Sequence, residues 1–333
     1  MSRNIKFKTI GIITNPFAGM GENSNKKLFN DLVTKLASYH LLIASGSMGG
    51  EFLPQLSQNK KVIGEQRYFD RRDTIAATQE MALNNADLLI GIGGDGTLAD
   101  IAYGVYQSGK NIPVLGIGLG STNVGSLIRY RAADLDNLDL KNLKEEKINC
   151  VLAFHQEQLI GLGFNDCVFG TTIVGTLNGK ITDLDAALRL KGQKKPGQSQ
   201  PVGTPQTEVL KNGKAVITGR EQKIGQIIAG PLDNRFWGKA VSGLLCWGPF
   251  TNHGAALTVS PLPLVQVNIN EEIMKQAEPL NISQILFNEN DCMQVRGMKP
   301  GTVLCLDGNP HFVLNKDDEI KIMFKKNVIK TLR

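Results

Sequence analysis

The chain has 333 residues, 41% of them hydrophobic and 20% charged, with a formal net charge of +6. This balance excludes disordered and fibrous classes and suits a globular protein with one large core or two ordinary ones. The basic residues are scattered and aromatics make up only 6%, which argues against nucleic acid as a partner.

Apolar runs alternate with amphipathic stretches through the first 143 residues. Thr9 to Thr14 reads as a strand, and Asn25 to Tyr39 as a helix with Leu28, Leu32 and Leu36 on one face. Leu41 to Ala44 and Val62 to Gly64 are weaker strands, followed by a helix over Thr74 to Asn84. Leu88 to Ile92 is short, apolar and bounded by turn residues, as a buried strand is, and Leu98 to Tyr106 is helical. Ile112 to Ile117 makes the next strand. Such βαβα order implies a doubly wound parallel sheet that binds ligand at the carboxyl ends of its strands. The turns at Asn15, Asp95 and Gly120 each follow a strand, so all three converge on that edge.

From Lys144 on, the pattern changes to short strands between glycine, proline and asparagine turns. Cys150 to Phe154, Leu159 to Phe164, Gly225 to Ala229, Ala256 to Ser260, Leu264 to Val267 and Val303 to Leu306 fit this description. The expected fold is an α/β doubly wound parallel-sheet domain over residues 1–143, then an all-β sandwich-like domain over 144–333. The last strand is free to pack back on the first domain. Lys191 to Pro201 reads as a mobile surface loop, and Asp183 and Asp185 as solvated helix-cap residues.

No apolar stretch approaches the roughly 20 residues that cross a bilayer, so no stable membrane insertion is expected. The N-terminus lacks the apolar core of a signal peptide. The five cysteines, an odd number without CxxC spacing, read as reduced thiols of a cytoplasmic protein.

Chemistry concentrates in Gly93-Gly94-Asp95-Gly96-Thr97. Glycines there allow positive φ and close approach to a ligand, and they bare amides at a helix N-terminus, which favours phosphate. A carboxylate amid phosphate-binding amides makes sense where a metal or a hydroxyl proton is also handled. Gly91-x-Gly93-x-x-Gly96 matches the dinucleotide fingerprint, but the next strand does not end in the acid that would hold a ribose. Gly104-x-x-x-x-Gly109-Lys110-Asn111 misses a Walker A loop by its last residue.

Gly93 to Thr97 resembles the signature of the superfamily of NAD kinases and diacylglycerol and sphingosine kinases. Gly11 to Gly21, with its Asn15-Pro16 turn, is similar to the first strand and turn of these kinases. Pro113 to Ile117 resembles the next strand of the NAD kinases, and Leu119-Gly120-Ser121-Thr122-Asn123 the Gly-Thr-Gly-Asn loop of the lipid kinases. Gly163-Phe164-Asn165-Asp166 is similar to the Asn-Glu element of NAD kinases, with Asp for Glu, and Asp307-Gly308 to a late Asp-Gly turn of both branches. The whole pattern is most like a divergent branch of ATP-NAD kinases whose members carry a helix beginning Asp-Thr, here Asp73-Thr74.

The resemblance implies phosphoryl transfer to a hydroxyl, with ATP or polyphosphate as donor and Mg²⁺ as cofactor. Asp95 accepts or orients the hydroxyl proton, or holds the metal. Gly93, Gly94, Gly96 and Thr97 cradle phosphate, and Asn15, Ser121, Thr122 and Asn123 line the nucleotide site. Asn165 and Asp166 grip the adenosine part of NAD, with Thr74 beside the substrate. The expected partner is a small molecule, NAD first, and homo-oligomers occur among such kinases. Against NAD, the Thr-Pro-Thr-Gly-Ser-like segment of NAD kinases is replaced by Ala229 to Asn234. A lipid or other small-alcohol kinase is the alternative, and a catalytically silent nucleotide-binding protein a second one. Asp233 to Lys239, with its cations, carboxylate and aromatic ring, reads either as a further substrate contact or as a plain exposed turn.

Overall fold

In the computed structural model the apolar runs of the first half become the strands of a parallel sheet. The structure describes residues 7–16, 18, 22–53, 58–119, 125–232 and 253–333. The chain divides into two units, residues 1–148 with 327–333, and residues 149–326.

The first unit contains β1 (Thr9–Thr14), α1 (Glu22–Lys35), β2 (His40–Ala44), β3 (Lys60–Ile63) and α2 (Arg71–Leu83). These are followed by β4 (Leu88–Gly93), α3 (Asp95–Ser108), β5 (Val114–Gly118) and β6 (Ile128–Arg131). Strand order is β5-β4-β1-β2-β3, with β6 alongside β5. Ile10 pairs in parallel with Leu41 on one side and Leu88 on the other. The chain runs outward from β1 to β3 and then crosses back to β4, so the winding reverses between β1 and β4.

Alternate residues of each strand serve the two helical layers. Ile10, Ile12, Ile90 and Ile92 share a core with Leu28, Phe29 and Leu32 of α1. Gly11 and Gly91 point the other way. A Cβ on Gly11 would stand 2.7 Å from Met81 Sδ of α2, and one on Gly91 would stand 2.6 Å from Ile101 Cδ1 of α3. Both glycines therefore allow a helix to lie close on the sheet. The two helices begin three residues or so before their apolar periodicity does, because caps set their starts. Asp70 accepts from Arg72 N at α2, and Gly94 precedes α3, which ends at left-handed Gly109 with φ 66°.

The rest of the chain forms β7 (Glu145–His155), β8 (Gln158–Gly163), β9 (Cys167–Gly170), β10 (Thr172–Leu177), β11 (Lys180–Asp185) and α4 (Ala186–Leu190). Then come β12 (Glu208–Lys211), β13 (Lys214–Thr218), β14 (Gln226–Pro231), β15 (Ala255–Ser260) and α5 (Glu271–Gln276). The series closes with β16 (Ser283–Phe287), β17 (Cys292–Arg296), β18 (Val303–Leu306), β19 (Asn309–Val313) and β20 (Glu319–Leu332).

In the second unit β13-β12-β17-β20 run side by side, and a second sheet has the order β16-β15-β14-β9-β18-β19. Val209, Val295 and Ile322 of the first share one core with Phe169, Ile227, Leu257 and Leu304 of the second, a sandwich-like arrangement. Residues 327–333 fall in the first unit, where Thr331 pairs with Val114 of β5.

Three sequence expectations need correction. Leu264 to Val267 is not a strand. Leu264 and Val265 pack on the outer face of the six-stranded sheet with Ala256 and Val303, and their amides donate to Gln226 Oε1. The stretch after Lys191 is fastened rather than loose, with Pro196 bridged to Leu184 and Asp185 N donating to Lys195 O. Asp185 does cap α4 through Leu188 N, but Asp183 is buried and accepts from Val267 N and Asn268 N. Cys150, Cys167 and Cys305 are free and buried. Among the described residues no helix is long and apolar enough to cross a membrane.

The closest helix contact is testable. A Cβ on Gly104 of α3 would sit 2.7 Å from Thr78 Cβ and 3.1 Å from Ile75 O of α2. Gly104→Ala is expected to push the helices apart and cost about 1–3 kcal/mol in denaturant unfolding, although alanine is the better helix former.

Candidate functional site

The reversal of the winding brings the end of β1 beside the end of β4, and the glycine-rich turn lies there. β4 ends at Gly93, and α3 opens at Asp95. Leu98 N donates to Gly94 O as the helix begins, so the amides of Asp95, Gly96 and Thr97 precede its regular ladder. The helix dipole adds to their attraction for an anion. Positive φ is not what the turn uses, contrary to expectation. Gly94 is extended, with φ −91° and ψ −179°. Close approach is the real constraint, since a Cβ on Gly93 would stand 2.8 Å from Thr97 Cβ.

Three contacts fix this turn. Asn15 N donates to Ile92 O at 2.8 Å, and Asn15 Nδ2 donates to the buried Thr97 Oγ1 at 2.9 Å. Gly125 N donates to Asp95 Oδ1 at 2.9 Å, which holds the half-buried carboxylate from the far side. Asn15 thus clamps the motif as well as lining it. Asn25, which the sequence reading passed over, is fully buried and closes the Asn-Pro turn by donating to Ala18 O at 2.6 Å. Its Oδ1 and the Oγ1 of buried Thr14 have no partner among the described residues, so polar capacity is left over here. Gly120, Ser121, Thr122 and Asn123 lie outside the described residues, as does Asp233 to Lys239.

The start of α2 serves the same edge. Arg71 Nε donates to the buried Asp100 Oδ1 of α3 at 2.9 Å, and its guanidinium lies 5.8 Å from the Tyr103 ring centre. Asp73 is buried and accepts from the amides of Arg67, Tyr68 and Phe69. Thr74 is half-buried, with Oγ1 4.0 Å from Met48 Sδ. The sequence offered no signal for Asp100, because its partner is on another helix.

In the second unit Asn165, Asp166 and Asp307 meet. Asp307 stands in a left-handed turn, φ 49°, ahead of Gly308 with φ 78°. Its carboxylate accepts from Phe164 N at 2.9 Å, Asn165 N at 2.7 Å and Asp166 N at 3.1 Å. The two motifs, far apart in sequence, form one structure. Asn165 is buried, with Oδ1 lacking a partner among the described residues, and Asp166 is half-buried. A Cβ on Gly230 would come within 2.5 Å of Asn165 O, so the Ala229 to Leu232 stretch packs directly beside this loop. His155, given no role from sequence, pairs with Asp318 at 2.8 Å and stacks on Phe312.

Comparison with known proteins bears out the resemblance to the NAD kinase and diacylglycerol kinase superfamily. Residues 10–134 match the model of the ATP-NAD kinase N-terminal domain. An uncharacterized protein of Archaeoglobus fulgidus is 28% identical over 303 residues, covering 90% of this chain and 91% of that one. The NAD kinase of Clostridium beijerinckii is 42% identical over 73 residues, 22% of this chain and 24% of the relative. In fold, the chain is similar to yeast NADH kinase complexed with NADH, with TM-score 0.54 and 12% identity, covering 98% of this chain and 82% of that one. A diacylglycerol kinase from Bacillus anthracis gives TM-score 0.55 at 13% identity, covering 98% and 97%.

Burial, and after it the charge of Asp166, push the Asp307 carboxyl up to about 8 against the pull of its three amides. Its unfolded value is about 3.9, so the folded unit binds the extra proton. The stability gained is full below about 3.9 and is lost as pH rises through about 8. Denaturant midpoints should fall across that window, and the slope should flatten in Asp307→Asn, whatever the variant's absolute stability.

Proposed function

We propose, from that kinship and from the turn at the reversal of the sheet, that the chain is an ATP-dependent kinase phosphorylating a small-molecule hydroxyl. Its acceptor is the 2′-hydroxyl of the adenosine ribose of NAD, and the product is NADP. One observation carries the reading. The Asp95 carboxylate, held by Gly125 N, stands at the start of a helix whose opening amides face the carboxyl edge of a parallel sheet.

Phosphoryl transfer requires positioning and charge neutralisation more than covalent help from the protein. The amides of Gly93, Gly94, Gly96 and Thr97 hold the phosphate chain, fastened by the Asn15–Thr97 bond. The acceptor oxygen attacks the terminal phosphorus, a new O–P bond forms, and the bond to the β-phosphate oxygen breaks to release ADP. The acceptor proton passes to the Asp95 carboxylate. Asp95 also suits a Mg²⁺ ion carried on the triphosphate, which takes few carboxylates and neutralises phosphate oxygens. Among the described residues no group of three or more His, Cys, Asp or Glu could cage a metal by itself. Asn165 and Asp166, locked by Asp307, bind the adenosine side of the acceptor, and Thr74 adds a substrate contact. The buried Asn165 Oδ1, which has no partner among the described residues, supports this role.

The test supplies ATP and Mg²⁺ with NAD, NADH or diacylglycerol and follows phosphorylated product by mass. NADP or NADPH is the expected product. Product from the lipid alone overturns the acceptor, and silence on all three overturns the reading. Asn at 95 keeps an oxygen for Gly125 N but cannot take a proton. Asp95→Asn should therefore lower kcat by about 10²–10⁴ while ATP binding is kept, and unchanged turnover would remove Asp95 from the mechanism.

A further inference from the structure

The loop between β3 and α2 presents two aromatic rings to solvent on a backbone that the fold has made rigid. Asp73 turns its buried carboxylate onto the amides of Arg67, Tyr68 and Phe69 at 3.0, 2.9 and 2.6 Å. Gln66 Oε1 accepts from Ser47 N, and Gln66 Nε2 donates to Ser47 Oγ, which ties the loop to the turn after β2. The Arg72 guanidinium covers the Tyr68 ring at 3.9 Å. Held this way, Phe69 has φ 56°, a left-handed conformation that bulky side chains seldom adopt. Core packing does not compensate, because Phe69 is 65% exposed and Tyr68 53%. The fold holds a strained aromatic outward.

Its position gives that arrangement a purpose. The loop leaves the carboxyl end of β3, the same edge as the Asn15 and Gly94 turns. Strands β4 and β3 are three spacings apart, about 14 Å, comparable to an extended nucleotide from terminal phosphate to base. Arg71, just past Phe69, pairs with Asp100, which lies about 7.5 Å along α3 from Asp95. The loop therefore rises on the same edge as the phosphate turn, about one nucleotide's length from it.

We propose that Tyr68 and Phe69 form the stacking platform for the purine ring of the nucleotide whose phosphates lie at Gly93 to Thr97. The proposal rests on the kinase reading. Aromatic side chains bind a base through its π face without needing a hydrogen-bond pattern, and a platform fixed in advance loses little freedom on binding.

Binding of ATP and of inorganic tripolyphosphate, measured by calorimetry on the parent and on Phe69→Gly, separates base from phosphate. Glycine takes φ 56° without strain, so this variant should melt at or above the parent temperature. ATP should bind it about 5–100-fold more weakly, with tripolyphosphate unchanged. Unchanged ATP affinity, or equal losses for both ligands, overturns the platform. A parent that binds tripolyphosphate as tightly as ATP overturns it alone, whereas a parent that binds neither overturns the kinase reading as well. Phe69→Trp gives an independent reading. Its fluorescence should change with ATP and not with tripolyphosphate, and no change with ATP bound overturns the proposal.

Discussion

The hydrogen bond from Asn15 to Thr97 joins the two strand ends between which the sheet reverses its winding. It ties the β1 turn to the first turn of α3, beside the bond from Asn15 N to Ile92 O. With it, a buried threonine hydroxyl has its partner and the glycine turn has a fixed wall. Sterics act in the same direction. Gly91 lets α3 lie against β4, and Gly93 lets Thr97 fold back over the strand end. The carboxylate of Asp95 inherits its position from both.

Elsewhere the protein repeats a single device, an aspartate that takes consecutive amides of a loop. Asp73 holds residues 67–69, Asp307 holds 164–166, and Asp183 holds 267 and 268. Consecutive amides make a concave, positive surface, and in these three places the protein's own carboxylate fills it. The turn at Gly93 to Thr97 has the same kind of surface, with its carboxylate at the start of the helix and held by Gly125. That contrast distinguishes a loop being shaped from a site left for a ligand's phosphate.

The parallel sheet was legible in the sequence because its buried strands are apolar runs that break at turn residues such as Asn15, Ser45 and Gly94. Helix starts were less so, since Asp70 and Gly94 set them ahead of the first apolar face residue. In the second unit the segments at Cys150, Leu159, Gly225, Ala256 and Val303 were legible as strands, but their pairing into two sheets was not. Its hairpins are short, and Leu264 to Val267 has the composition of a strand yet packs on the sheet without joining it. Within the site, Gly93 to Thr97 announced itself as a motif, and Asn165-Asp166 and Asp307 as two. That the last two are one structure depends on hydrogen bonds across 141 to 143 positions of chain, which no local pattern encodes. Asp100 was hidden because its partner Arg71 lies on another helix, 29 positions away, whereas Asn25 and Asp73 act locally through backbone groups that no residue pattern marks.

The pairing of Thr331 with Val114 has a consequence for how the molecule is made. A ribosome releases β1 to β5 early, but the strand that pairs with β5 at Val114 emerges only after nearly all of the second unit. The first unit therefore waits, its sheet incomplete, while the intervening strands are synthesised. Contacts so distant in sequence form slowly, and an unpaired strand edge invites wrong partners in the interval. The first unit is thus completed only once the whole second unit has been made, which ties the site at its strand ends to residues synthesised long after it.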